Sequence, residues 1–95
     1  MDSREEVEYL ILNFYSVKNN PQGAGAIGYF LKEKGFELGE ATVGRILKKL
    51  ENDGFLNKVG FQGRILSEKG KDYLKRVRSL REKEESLRIF GHFLF

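Results

Sequence analysis

The chain has 95 residues, 40% of them hydrophobic and 33% charged, with 17 lysines and arginines against 14 aspartates and glutamates. That length allows one modest core and excludes a doubly wound sheet or an α/β barrel, and the absence of cysteine excludes disulfides, thiolate metal sites and a cysteine nucleophile. The start M-D-S-R-E-E is acidic and polar, unlike a signal peptide, and no apolar run reaches the ~20 residues of a membrane span, so a cytoplasmic protein without a membrane partner is expected.

Ser3 followed by Glu6 forms an S-x-x-E capping box, and Val7, Leu10, Ile11, Phe14 and Val17 recur at helical spacing, which predicts a first helix over 4–17. Its apolar face reads as core rather than as a cofactor box. Lys18-Asn19-Asn20-Pro21-Gln22-Gly23 is a loop by composition and contains the one proline. A second helix is predicted over 24–34, with Ile27, Phe30 and Leu31 inward and Gly35 closing it in a left-handed C′ position. Gly23 to Gly28 satisfy the G-x-G-x-x-G dinucleotide pattern letter for letter. That pattern binds a dinucleotide only between a strand and a helix of a βαβ unit, and here a polar loop precedes it. The small residues are expected instead to let the second helix pack closely under the third, and no cofactor is expected.

The third helix, over 39–53, carries the most information. Val43, Ile46, Leu47 and Leu50 put four apolar side chains on one side, while Ala41, Thr42, Arg45, Lys48 and Lys49 occupy the other. Gly39 is a tolerated N-cap and Gly54 a C′ residue, with Phe36 and Leu38 plugging the angle to the second helix. A helix anchored on one face and offering donors on the other suits the DNA major groove, where Arg and Lys meet guanine edges. Two helices joined by a short turn containing Gly have the helix-turn-helix layout.

After Gly54 the period changes. Residues 55–59 and 64–66 are short β-prone runs, and Gly60-Phe61-Gln62-Gly63 supplies the glycines of a tight hairpin. That hairpin, over 55–66, is the expected wing on the flanking backbone, from which Lys58, Gln62 and Arg64 reach phosphate or the minor groove. Phe61 at its tip is either exposed or folded back on the core. Ser67 caps a final helix from Glu68, whose early apolar positions are Tyr73, Leu74, Val77 and Leu80. Tyr73, Val77, Leu80, Glu84 and Leu87 extend as a heptad-like seam with one acidic interruption, read as half of a homodimer contact or as a protruding connector. Residues 87–95 are too apolar to leave in water and imply a partner surface or a following domain.

Charge follows the same division. Residues 1–37 hold four basic and six acidic side chains, 38–81 eleven and five, and 82–95 two and three, so the middle segment alone is +6. A segregated basic block is how a phosphate-binding face looks in sequence, and a solvated lysine-rich surface is the bland alternative. Chemistry has little to work with: the one histidine, His92, lies near the end, and no metal-ligand spacing or paired carboxylate motif stands out, so neither catalysis nor a metal site is expected.

Pro21, Gly23, Ala24, Ile27, Leu31, Lys32, Gly35, Leu38, Glu40, Val43, Leu47, Leu50 and Gly54, followed by the run from Leu56 to Leu74, resemble the winged-helix domain named after ribonuclease R, as found at the N-terminus of nitrogen-regulatory repressors of methanogenic archaea and of related bacterial regulators. The resemblance spans about 7–77, and Gly39 departs from it where serine would be expected as the N-cap. It implies a mainly α fold with a small β-hairpin wing, a winged helix-turn-helix over 1–78; the long helical extension over 79–95, expected as a dimer contact or a linker to an effector domain, falls outside the resemblance and is read from helical spacing. The resemblance also implies double-stranded DNA as partner, through Thr42, Arg45, Lys48 and Lys49, and an effector bound by a domain not in this chain. A module binding RNA or a protein partner is the alternative, since winged helices also occur in RNA enzymes. Phe61 is the strong stacking candidate for RNA on the basic side.

Overall fold

The computed structural model describes residues 3–94, with side chains described through Leu87. The elements in chain order are α1 (Ser3–Ser16), α2 (Ala24–Glu33), α3 (Glu40–Asn52), β1 (Leu56–Val59), β2 (Gly63–Leu66) and α4 (Glu68–Leu94). The two strands pair antiparallel with Leu56 opposite Leu66 and Val59 opposite Gly63. Three helices, a hairpin and a long fourth helix in this order make a winged helix-turn-helix with a helical extension.

The core sits where the apolar faces converge. Ile11 and Leu12 of α1, Ile27 and Leu31 of α2, all four predicted positions of α3, Leu56, Leu66 and Leu74 are buried together, each large aliphatic side chain contributing about 1.5–3 kcal/mol of transfer free energy. Phe36 and Leu38 pack against this cluster from the turn between α2 and α3, as their spacing predicts. Gly35 and Gly54 both take positive φ, at 92° and 87°, and end α2 and α3 as C′ residues. Gly39 is the N-cap of α3 and offers no side-chain bond to it.

Several local expectations are revised. α1 begins at Ser3, one residue earlier than predicted, and the Glu6 carboxylate accepts a hydrogen bond from Arg81 Nη2 at 2.9 Å, a long-range partner in place of the expected helix start. Val17 falls just beyond α1 and stands in solvent, because the chain turns away before its face reaches the core. The glycines of α2 do not serve close packing: a Cβ built on Gly23, Gly25 or Gly28 meets nothing within 4 Å. No strand element precedes α2 among the described residues, which removes the structural setting of the dinucleotide pattern. The apolar run over 87–95 and His92 carry side chains that, after Leu87, lie outside the described residues.

α4 is held at its N-terminus by one hydroxyl. Ser67 Oγ accepts from the Gly70 backbone N–H at 2.9 Å, the N3 contact of an N-cap, and donates to the Gly54 carbonyl at 2.5 Å, at the end of α3. Lys69 Nζ adds a hydrogen bond to the Asp53 carbonyl at 2.9 Å, placing a cation at the negative end of the α3 dipole. Leu74 is buried and Tyr73 stacks on Phe55 with centroids 4.3 Å apart, whereas Leu80 is 60% and Leu87 73% exposed. Further clamps come from α1: Arg78 Nε donates to Asn13 Oδ1 at 3.1 Å, and the Arg81 guanidinium lies 3.5 Å from the Tyr9 ring centroid.

The close approach of α4 to the start of β1 fixes one position that periodicity does not reveal. A Cβ on Gly70 would come within 2.3 Å of the Phe55 carbonyl oxygen and 2.8 Å of Leu66 Cδ1. Replacing a mid-helix glycine by alanine normally stabilises by roughly 0.5–1 kcal/mol. The sign is expected to split here: Gly44→Ala, whose Cβ meets nothing within 4 Å, should raise the urea midpoint. Gly70→Ala should lower it by an amount equivalent to about 1–3 kcal/mol of overpacking strain. Equal shifts for the two variants in one unfolding series would contradict the approach described.

Candidate nucleic-acid interface

The outward side of α3 follows directly from its inward side. With Val43, Ile46, Leu47 and Leu50 buried, the 100° step of the helix leaves Ala41, Arg45, Lys48 and Asn52 as the most outward ridge, flanked by Thr42 and Lys49 on one edge and Gly44 and Glu51 on the other. Arg45 and Lys48 are exposed, and Thr42 is half-buried. Arg45 Nη2 donates to Thr42 Oγ1 at 3.3 Å, an i, i+3 contact that biases the guanidinium toward the N-terminal half of the helix while leaving its other donors available.

Lys49 belongs to the α1 edge. Its ammonium lies 3.2 Å from Glu8 Oε1 and 3.2 Å from Asp53 Oδ2. The hydrogen bond to Glu8 is the main reason its pKa rises above the usual lysine value, with burial opposing and Asp53 adding to the rise. It lines a cleft with Arg4, Tyr9, Tyr73 and Arg81, between α1 and α4. Arg45 and Lys48 lie on the exposed ridge, Arg45 beside Thr42 and Lys48 3.5 Å from Glu51, while Lys49 holds two carboxylates.

The hairpin divides its residues by strand parity. Leu56 and Leu66 face the core, so Lys58 and Arg64, two residues along each strand and opposite one another, share that face on the side of α3. Lys58, nearer the tip, is exposed, as is Gln62. Arg64 differs from the free phosphate contact expected of it: its side chain is 16% exposed, and Nε donates to Glu51 Oε1 at 2.8 Å. Its backbone is engaged as well. Arg64 N–H donates to the Gln22 carbonyl and Gln22 N–H to the Arg64 carbonyl, both at 3.0 Å, so the loop before α2 adds a single bridge to the edge of the sheet. Tyr15 Oη donates to the same Gln22 carbonyl at 2.9 Å. Burial pushes the Tyr15 pKa up to about 12, with the Arg64 charge opposing.

Glu51 therefore sits between two cations, with Arg64 on Oε1 and Lys48 Nζ 3.5 Å from Oε2. The hydrogen bond from Arg64 is the largest cause holding its carboxyl below the usual carboxylate value. It joins α3 to the hairpin. Sequence reasoning passed over Glu51, although its i, i+3 spacing from Lys48 was a visible signal. Gln22 and Gly63 were also passed over: a Cβ on Gly63, at φ 121°, would lie 2.5 Å from the Gln22 carbonyl carbon.

Among the described residues no group of three or more His, Cys, Asp or Glu could hold a metal ion, and no helix is long and apolar enough to cross a membrane. The arrangement offers guanidinium, ammonium, hydroxyl and amide donors on one convex side, which is the chemistry of phosphate and base-edge recognition.

Comparison with known proteins agrees with this geometry. The Ribonuclease R winged-helix domain family matches residues 9–74. The chain is 38% identical over 77 residues to the global nitrogen regulator NrpR of Methanococcus maripaludis, covering 81% of this chain and 14% of the relative. It is 35% identical over 67 residues to the global nitrogen regulator NrpR of Methanocaldococcus jannaschii, covering 70% of this chain and 12% of the relative. The chain thus spans a small fraction of the length of these curated relatives. No solved structure matches it.

The Glu51 bridge gives a pH dependence with a definite sign. Because the folded-state pKa is depressed, the stabilisation is fully present above the unfolded value, near 4.5, and is lost as pH falls through the lower folded value. Thermal melts of the native chain and Glu51→Gln should therefore differ by a constant amount between pH 7 and 5, and the gap should close in more acid solution. A gap that widens below pH 4.5 would show that Glu51 is not held ionised by its partners.

Proposed function

This chain belongs to the ribonuclease R winged-helix domain family, and from that premise we propose that it is the sequence-specific DNA-binding domain of a prokaryotic transcriptional regulator, without enzymatic activity and working in the cytoplasm. The observation that carries this reading is the outward ridge of α3. Arg45 and Lys48 are exposed on a helix whose opposite face is wholly buried, with Thr42 beside them and Lys58 and Gln62 on the neighbouring wing.

In this reading α3 enters the major groove and Arg45 reads a guanine edge, a bidentate contact worth on the order of 1–3 kcal/mol of discrimination. Lys48 and Lys58 hold phosphates, and Gln62 approaches the backbone or minor groove from the wing tip. Lys49 and Arg64 act chiefly by placing other groups: Lys49 ties α3 to Glu8 of α1, and Arg64 ties the wing to α3 through Glu51. Two copies related by a twofold axis would set two α3 helices about one DNA turn apart, with the exposed seam of Leu80 and Leu87 on α4 as the homodimer contact. Effector sensing would belong to the remaining length of a regulator of the kind the relatives represent.

The test is a salt titration on mixed-sequence and selected duplexes. Arg45→Ala should lose about 10-fold or more on the selected site and little on random DNA, relaxing preference. Lys58→Ala should weaken both alike and reduce the salt slope by about one unit. Duplex binding absent, with tight binding of single-stranded or double-stranded RNA, would transfer the function to RNA; equal losses of both variants on both DNAs would remove the division of labour.

A further inference from the structure

The wing tip holds a side chain that the DNA-binding reading above does not use. Phe61 is 109% exposed, more than a residue in an open reference chain, and it touches no core element. The exposure is built into the turn. Gly60 takes φ 51° while Phe61 does not take positive φ, and Gln62 N–H donates to the Val59 carbonyl at 2.9 Å, so the tip is a closed turn of type II′ character. Turn tips favour Gly, Asn, Asp and Ser, each for a backbone reason, and an aromatic ring supplies none of them. Its neighbours are Gln62, also exposed, and Lys58 three residues before it, on a hairpin fastened to α3 by Arg64 and Glu51.

We propose that Phe61 is a minor-groove wedge, inserted between base steps of the duplex while Gln62 reads the groove floor and Lys58 holds the adjoining phosphate. This deepens the DNA-binding reading and rests on it. Grooves alternate across each phosphate strand, so an element beside a helix lying in the major groove crosses one backbone and meets the minor groove. Proteins that work there combine Arg, Lys, Asn or Gln with an inserted apolar side chain that partly unstacks the step and bends the duplex. The tip has this composition, and the +6 charge of the segment over 38–81 selects a polyanion over an apolar protein surface as occupant.

The experiment uses the 95-residue chain, a duplex obtained by selection from a random library and carrying 2-aminopurine at positions beside the contacted helical turn, and three proteins: native, Phe61→Ala and Phe61→Trp. Affinity, 2-aminopurine fluorescence and end-to-end energy transfer are read together. Because the ring contacts no core residue, Phe61→Ala should melt like the native chain. It should bind about 10-fold more weakly at an unchanged salt slope, and should lose both the fluorescence rise and the bend. Phe61→Trp should retain all three. Native-like affinity and bending by Phe61→Ala would overturn the wedge while leaving duplex binding intact, and so would a variant that binds duplex normally but loses single-stranded RNA binding or shifts the dimer equilibrium. Failure of the native chain to bind any duplex would instead remove the DNA-binding reading itself.

Discussion

Arg64 is held at both ends, and the relation between the wing and α3 depends on it. Its backbone pairs with Gln22 through two 3.0 Å hydrogen bonds, and its guanidinium reaches Glu51 at 2.8 Å. One residue thereby joins the loop before α2, the second strand and the C-terminal half of α3. Gly63 must be small because the Gln22 backbone lies against it, and Tyr15 fixes Gln22 from α1. A two-stranded hairpin alone is marginal in water, so this third edge and the ion pair are what give the wing a defined direction. The arrangement also explains a carboxylate in a basic surface: without Glu51 the Arg64 guanidinium would sit half-buried beside other cations with no counter-charge.

Short-range features were legible from residue order. The four core positions of α3, the C′ glycines Gly35 and Gly54, the Ser67 cap and the hairpin, to within one residue at the start of each strand, follow from spacing and turn chemistry, which act over a few residues. What escaped sequence reasoning acts over long separations. The Gln22 bridge spans forty-two positions, Lys49 to Glu8 forty-one, and Arg81 to Glu6 seventy-five. Gly70 is a small residue because of a contact with Phe55, and nothing in the period of α4 distinguishes it from the glycines of α2, which touch nothing. Arg64 could have been placed by parity alone, since it shares a strand face with Leu66; treating every basic residue of the wing as free obscured that.

The candidate site was accordingly half legible. Thr42, Arg45 and Lys48 lie on the outward side of α3 as the helical wheel requires, and Lys58 and Gln62 stand exposed on the hairpin. Side-chain partners then sort the cations, from Lys49 and Arg64, held by carboxylates, through Lys48, exposed yet 3.5 Å from Glu51, to Arg45 and Lys58 on the exposed surface. Counting charge locates a basic face but does not perform that sorting, because an ion pair contributes zero to the sum while removing a donor from the surface.

α4 is a single helix from Glu68 to Leu94, anchored by Ser67 at its start and by Arg78 and Arg81 about three and four turns further along. Those anchors fix its azimuth as well as its direction. Each residue added to an α-helix advances about 1.5 Å and rotates about 100°. The stretch beyond Arg81 therefore has the geometry of a shaft: deleting one residue there would leave the winged body intact yet turn the rest of α4 by more than a quarter revolution. Length and phase of this shaft are coupled, so spacing changes of seven residues preserve its facing direction to within about 20°, and changes of one or two do not.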